Sequence, residues 1–167
     1  MAKTFSNVAK AVALLIFCLA VSVSGMSDHV PEAACQSMVP LGHNAQAQTS
    51  SPPYVLKVPQ GRVPIGSEVN VVVAGMNPQI MFKGFFIKAF DQSTGQPIGS
   101  FTKAPKTINC DGTASGAHHA GPHLKESEVL AWSPPPNFKG SVIFMATIVM
   151  ERTVFWTNVV SSPLVFA

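Results

Sequence analysis

Charge is scarce in this 167-residue chain: Asp, Glu, Lys and Arg together make up 11% of it, less than half the usual share of about a quarter. No Lys/Arg cluster stands out as a phosphate-binding surface, which excludes nucleic acid as an expected partner. Motifs that carry a catalytic mechanism are missing: no GxSxG, HExxH, GxxxxGK or CxxC occurs. The acids are scattered, and pairs such as Glu126 and Glu128 read as solvated positions on a strand edge. No catalytic and no cofactor-binding residue is therefore named, and the chain is read as a non-enzyme. There is no N-x-S/T sequon, so N-glycosylation is not expected.

What is present begins at the N-terminus. Lys3 and Lys10 precede the apolar run AVALLIFCLAV (11–21), and small residues follow, with Val23 and Gly25 at the −3 and −1 positions of a cleavage site. This is the three-part pattern of a secretory signal peptide. The run falls short of the ~20 apolar residues of a membrane anchor. Residues 1–25 are expected to be removed, leaving a secreted, extracellular chain over 26–167. Lys3 and Lys10 leave with the signal, so nine of the 11 basic residues face eight acids and the excess of +3 falls to +1. One domain with one core is expected at this size.

Cleavage also removes Cys18, so Cys35 and Cys110 remain as an even pair in an oxidising compartment. One disulfide between them is expected; free thiols and an intermolecular bridge are the competing outcomes. The chain-entropy model values such a 75-residue closure at about 4.5 kcal/mol. Cys110 opens CDGTASGAHHAGPH (110–123), which holds His118, His119 and His123. Zinc wants four well-held ligands, whereas this stretch offers three imidazoles on a glycine-rich backbone. It is read as a flexible surface loop whose histidines are simply polar, with no metal site.

The rest reads as strands. YVLKV (54–58), EVNVVVAG (68–75), IMFKGFFIKAF (80–90), PIGSF (97–101), KTINC (106–110), SEVLAW (127–132), SVIFMATIVM (141–150), TVFWTNVV (153–160) and the closing PLVFA are rich in β-branched and aromatic residues. Gly/Pro-bearing turn signals separate them. The expectation is an all-β fold, an antiparallel β-sandwich of about 7–8 strands. SVIFMATIVM is apolar on both alternating faces, as a central or covered strand would be. Lys83 and Lys88 fall on opposite parities, and Gly84 between them suggests a bulge. Residues 31–53 lack periodicity and read as an extended arm tied down by Cys35. Trp132 and Trp156 are expected in the core. Lys83, Lys88, Lys103 and Lys106 would form a positive cluster if their strands were neighbours; otherwise they guard sheet edges, and none is named as a site.

In order along the chain, the sequence resembles a reelin-type (reeler) domain. The matching residues are Ala34-Cys35, Met38, Pro40 and His43; Pro53-Tyr54; the Pro64–Gly66 turn; Val69–Val73; and FKGFFIKAFD (82–91). They continue through Gly99-Phe101, Cys110, a histidine at His118 or His119, Trp132 before Pro134, Gly140 to Thr147, and Phe155-Trp156. The resemblance is nearest to small secreted insect defence proteins. The family's arginine after the FxGF strand is absent here, where the chain reads Ala89-Phe90-Asp91, and the loop after Cys110 is richer in Gly and His. The resemblance implies an immunoglobulin-like sandwich and the Cys35–Cys110 disulfide. It also implies a role in innate immunity, through antibacterial activity or binding to bacterial or fungal surface polysaccharide or lipid, or to blood cells. An extracellular adhesion or matrix module is the alternative. A monomer without cofactor is expected.

Overall fold

The computed structural model describes residues 29–167, so the expected signal peptide lies outside the described residues. Eleven strands run through them: β1 (Tyr54–Lys57), β2 (Arg62–Val63), β3 (Val69–Gly75), β4 (Gly84–Asp91), β5 (Ser100–Lys103), β6 (Lys106–Ile108), β7 (Gly116–His118), β8 (Ser127–Ser133), β9 (Gly140–Glu151), β10 (Val154–Val160) and β11 (Leu164–Phe166). They form two sheets. One has the order β1-β3-β8-β5; the other runs β2-β11-β9-β4-β7-β6, with β10 also pairing β9. The architecture is the expected all-β sandwich. The strand number exceeds the expected 7–8 because short strands without a hydrophobic signature add to it, β2 and β7 among them. All pairings are antiparallel except β11 with β2, which is parallel.

Alternation builds the core. In β3, Val69, Val71 and Val73 point inward while Asn70 is exposed, as expected for a strand between core and solvent. Leu130 and Trp132 of β8 join them and meet Phe85, Ile87, Phe144, Ala146 and Ile148 from the other sheet. Trp132 stands edge-on to Phe144, ring centroids 5.3 Å apart, a favoured aromatic geometry. Both tryptophans are buried, as expected. Gly99 has φ +70°, and a Cβ there would lie 2.2 Å from the Trp132 ring. Only glycine allows that approach.

Three expectations need correction. Gly84 is no bulge: β4 pairs with β9 without a register shift from Gly84↔Val149 to Asp91↔Val142. The two lysines differ because Lys83 precedes the strand and pairs with exposed Glu151, whereas Lys88 is buried on the outer face. The segment after Cys110 is not a flexible loop, because Gly116–His118 forms β7 between β4 and β6, with Ala117 in the core. The arm is not extended throughout. It contains a short helix, α1 (Ala34–Ser37), and a 3-10 turn at Leu41–His43, each too short for its periodicity to be read.

Phe144 is fully buried against Trp132 and Phe101. Phe144→Ala should cost about 3–5 kcal/mol of unfolding free energy in a denaturant titration. A loss below about 1 kcal/mol would show that the two sheets do not pack through this ring.

Candidate functional site

The outer face of the seven-stranded sheet carries Gly84, Phe86, Lys88 and Phe90 on β4, and Met145, Thr147 and Val149 on β9. The arm covers it. The Thr147 hydroxyl donates to the Met38 carbonyl at 2.6 Å, and the Gln48 N–H donates to the Phe155 carbonyl at 2.8 Å. His43 packs edge-on to Phe155, and the Trp156 indole N–H reaches the Ser50 hydroxyl at 3.2 Å. The arm thus acts as a third layer over two central strands.

A covalent and ionic clasp fixes this layer. Cys35 of α1 is bonded to Cys110, Cα to Cα 5.3 Å. The Lys88 ammonium lies beneath, 3% exposed as a residue, donating to the Cys35 carbonyl at 3.0 Å and pairing with the Asp111 carboxylate. The Ser115 hydroxyl accepts the N–H groups of Cys110 and Asp111 at 3.0 and 2.9 Å, holding the loop that presents both residues. A buried ammonium needs such partners to be tolerated.

The three histidines have separate tasks. His118 is buried and its Nδ1 lies 2.8 Å from the His119 carbonyl. Burial lowers its pKa below the usual 6.5, and the nearby His119, Lys106 and His29 push the same way, against the raising effect of the His119 backbone bond. His119 lies over Gly84, where a Cβ would meet its ring at 3.0 Å, and its Nδ1 is 3.2 Å from the Phe85 nitrogen and 3.1 Å from the Phe85 carbonyl. His123 is exposed and supplies a carbonyl to Lys125. Among the described residues no group of three or more His, Cys, Asp or Glu side chains could hold a metal ion. The Lys125 ammonium donates to the carbonyls of Lys83, Gly121 and His123 at 2.9, 2.9 and 2.7 Å, and burial lowers its pKa. It ties the loop after His119 to the start of β4. Nothing in the sequence pattern marked Lys88 or Lys125 as buried.

The lysines considered as a positive cluster do not form one. Lys83 is neutralised by Glu151 and Lys88 by Asp111. Lys103 lies on β5 and Lys106 on β6, the edge strands of different sheets, which fits edge protection.

Between arm and sheet lies a cleft of about 490 Å³. Ala34, Met38, Val39 and Leu41 form its roof, and Phe86 and Val149 its floor, with Lys83, Glu151 and Arg152 also lining it. Its volume lies within the range of small-molecule sites, roughly 300–1,000 Å³.

Fold and site together define a disulfide-clasped β-sandwich with an apolar cleft beneath its N-terminal arm. Residues 33–167 match the sequence model of the Reeler domain, and the chain belongs to that family. It is 34% identical over 170 residues to the Bombyx mori protein named "Putative defense protein", covering 97% of this chain and 97% of that one. It is 30% identical over 158 residues to defense protein l(2)34Fc of Drosophila melanogaster, covering 90% and 95%. The crystal structure of the human F-spondin reeler domain shares the fold, with a TM-score of 0.58 at 19% identity over 74% of this chain and 94% of that one. The relatives support a defence-type role.

Two outcomes follow from the clasp and from His118. Asp111→Asn leaves the buried Lys88 ammonium with neutral acceptors and no counter-charge and should cost up to about 3 kcal/mol. Lys88→Met leaves a carboxylate that can turn to water and should cost less, about 1 kcal/mol. The reverse order in thermal or denaturant melts would remove Lys88 from the clasp. His118 has a lowered folded pKa, so below pH 6.5 the unfolded chain binds the proton more readily. Its stabilising effect is complete above pH 6.5 and is lost as pH falls toward the folded pKa. His43 is lowered too, chiefly by burial, and adds to the same trend. The melting temperature should therefore fall between pH 7 and pH 5, and His118→Phe should flatten the slope; an equal slope in that variant would exclude His118 as the source.

Proposed function

We propose that this chain is a secreted defence protein, cleaved near Gly25, that acts by non-catalytic recognition of microbial surface components. The observation that carries the proposal is its similarity to an insect protein named as a defence protein along 97% of both chains. The cysteine pair supports an extracellular setting, since Cys35 and Cys110 lie at bonding distance in the folded domain. Among the described residues no helix is long and apolar enough to cross a membrane. Membership of the Reeler family and the defence-protein relatives suit recognition rather than turnover.

The test uses the protein secreted from a eukaryotic cell line. Its N-terminus should be Met26, and intact-mass analysis should find two alkylatable thiols only after reduction. Incubated with bacteria, insoluble glucan and immobilised matrix proteins, it should pellet with bacteria or glucan, and chelator should not change the amount. Binding to matrix proteins alone would replace this reading with an adhesion module.

A further inference from the structure

We infer that the cleft beneath the arm is a binding site for one long-chain carboxylate, with its tail between arm and sheet and its head at Arg152. The site goes beyond recognition of microbial surfaces, and its ligand is a free small molecule.

The register gives the cleft a direction. On its floor, Thr147 is paired with Phe86 and Val149 with Gly84, and Glu151 is the next residue of β9 on that face. At the Thr147 end, roof and floor are joined by the bond from the Thr147 hydroxyl to the Met38 carbonyl. Lys88 adds a second join to the Cys35 carbonyl beyond it. At the other end the lining turns polar, with the Lys83–Glu151 pair and Arg152. A cleft pinned and apolar at one end and charged at the other fits a linear amphiphile inserted tail first.

The volume matches one chain. At about 30 Å³ for each water-sized group, 490 Å³ holds a single tail of roughly sixteen such groups. A sugar would place hydroxyls against Met38, Leu41, Phe86 and Val149, leaving them without partners.

Charge selects the head. Lys83 and Glu151 neutralise each other at 2.6 Å, and Arg152 is the remaining Lys, Arg, Asp or Glu lining the mouth among the described residues. Arg152 is exposed and makes one long bond, 3.4 Å, to the Gly42 carbonyl. A guanidinium carries five donors in a fork that matches a carboxylate. His43 lies beside it; burial lowers the His43 pKa, the backbone hydrogen bond with Arg152 raises it, and the Arg152 charge lowers it.

The experiment is calorimetric titration of the delipidated, secreted protein with palmitate, hexadecanol and shorter carboxylates below their critical micelle concentrations, and with phosphatidylglycerol vesicles. Palmitate should bind one to one, and shortening the tail by two carbons should weaken binding roughly tenfold. Arg152→Gln, on the surface, should weaken palmitate about tenfold and leave hexadecanol unchanged. Val149→Trp should fill the floor and abolish binding of both. If that variant fails to fold by circular dichroism, Leu41→Glu, at an exposed roof position, should weaken palmitate at least tenfold. Absence of saturable binding, binding to vesicles alone, or undiminished binding in the folded floor or roof variant would overturn the site. Equal weakening of acid and alcohol by Arg152→Gln would overturn the placement of the head.

Discussion

A strand that is apolar on both faces must be covered on both, and β4 and β9 impose this constraint on the whole molecule. Their inner residues, Phe85, Ile87, Phe144 and Ile148, meet the four-stranded sheet. Their outer residues include Phe86 at 4% exposure and Thr147 at 3%. Helices cover such strands in α/β proteins; here a single arm does so. An arm of short turns makes few backbone ladder bonds, so it depends on point attachments: the disulfide, the Lys88 ammonium and the Thr147 hydroxyl. These attachments, more than its own local structure, set where the arm lies.

The same construction explains the cleft. Sheet faces interdigitate because side chains repeat regularly on each. A roof built of α1 and a 3-10 turn has no such repeat and touches the sheet at spaced points. Between the Thr147 attachment and the Arg152 contact with Gly42, floor and roof stay apart. The cavity is therefore a product of covering a regular surface with an irregular one. Loop-borne surfaces of this kind vary readily in shape while the scaffold stays fixed.

Most of the sheet framework was legible because β-branched and aromatic runs between Gly/Pro turns carry a strong local signal. The double-sided apolar pattern of SVIFMATIVM pointed to a covered strand, and β9 is one. Gly84 was misread because a glycine inside a strand signals either a bulge or a close approach; the approaching group, the His119 ring, comes from 35 residues away in sequence. Lys88 was misread for a similar reason. Parity assigns a lysine to a face, but only tertiary structure tells whether that face meets water. β7 and α1 were illegible because three or four residues fall below the length at which periodicity can be detected. Histidine clustering invited a question about metal, yet His118 and His119 serve as packed side chains against β4.

The clasp also bears on extracellular proteolysis. Residues 44–51, between the 3-10 turn and β1, are largely exposed and lack regular structure, the features of a preferred cleavage site. A cut there severs the arm from the sandwich along the main chain but not from Cys110. The roof stays attached through sulfur, with its Lys88 and Thr147 contacts in place. A nicked molecule then keeps its shape under oxidising conditions and sheds the arm only on reduction, so two successive chemical events are needed to expose the outer face of β4 and β9.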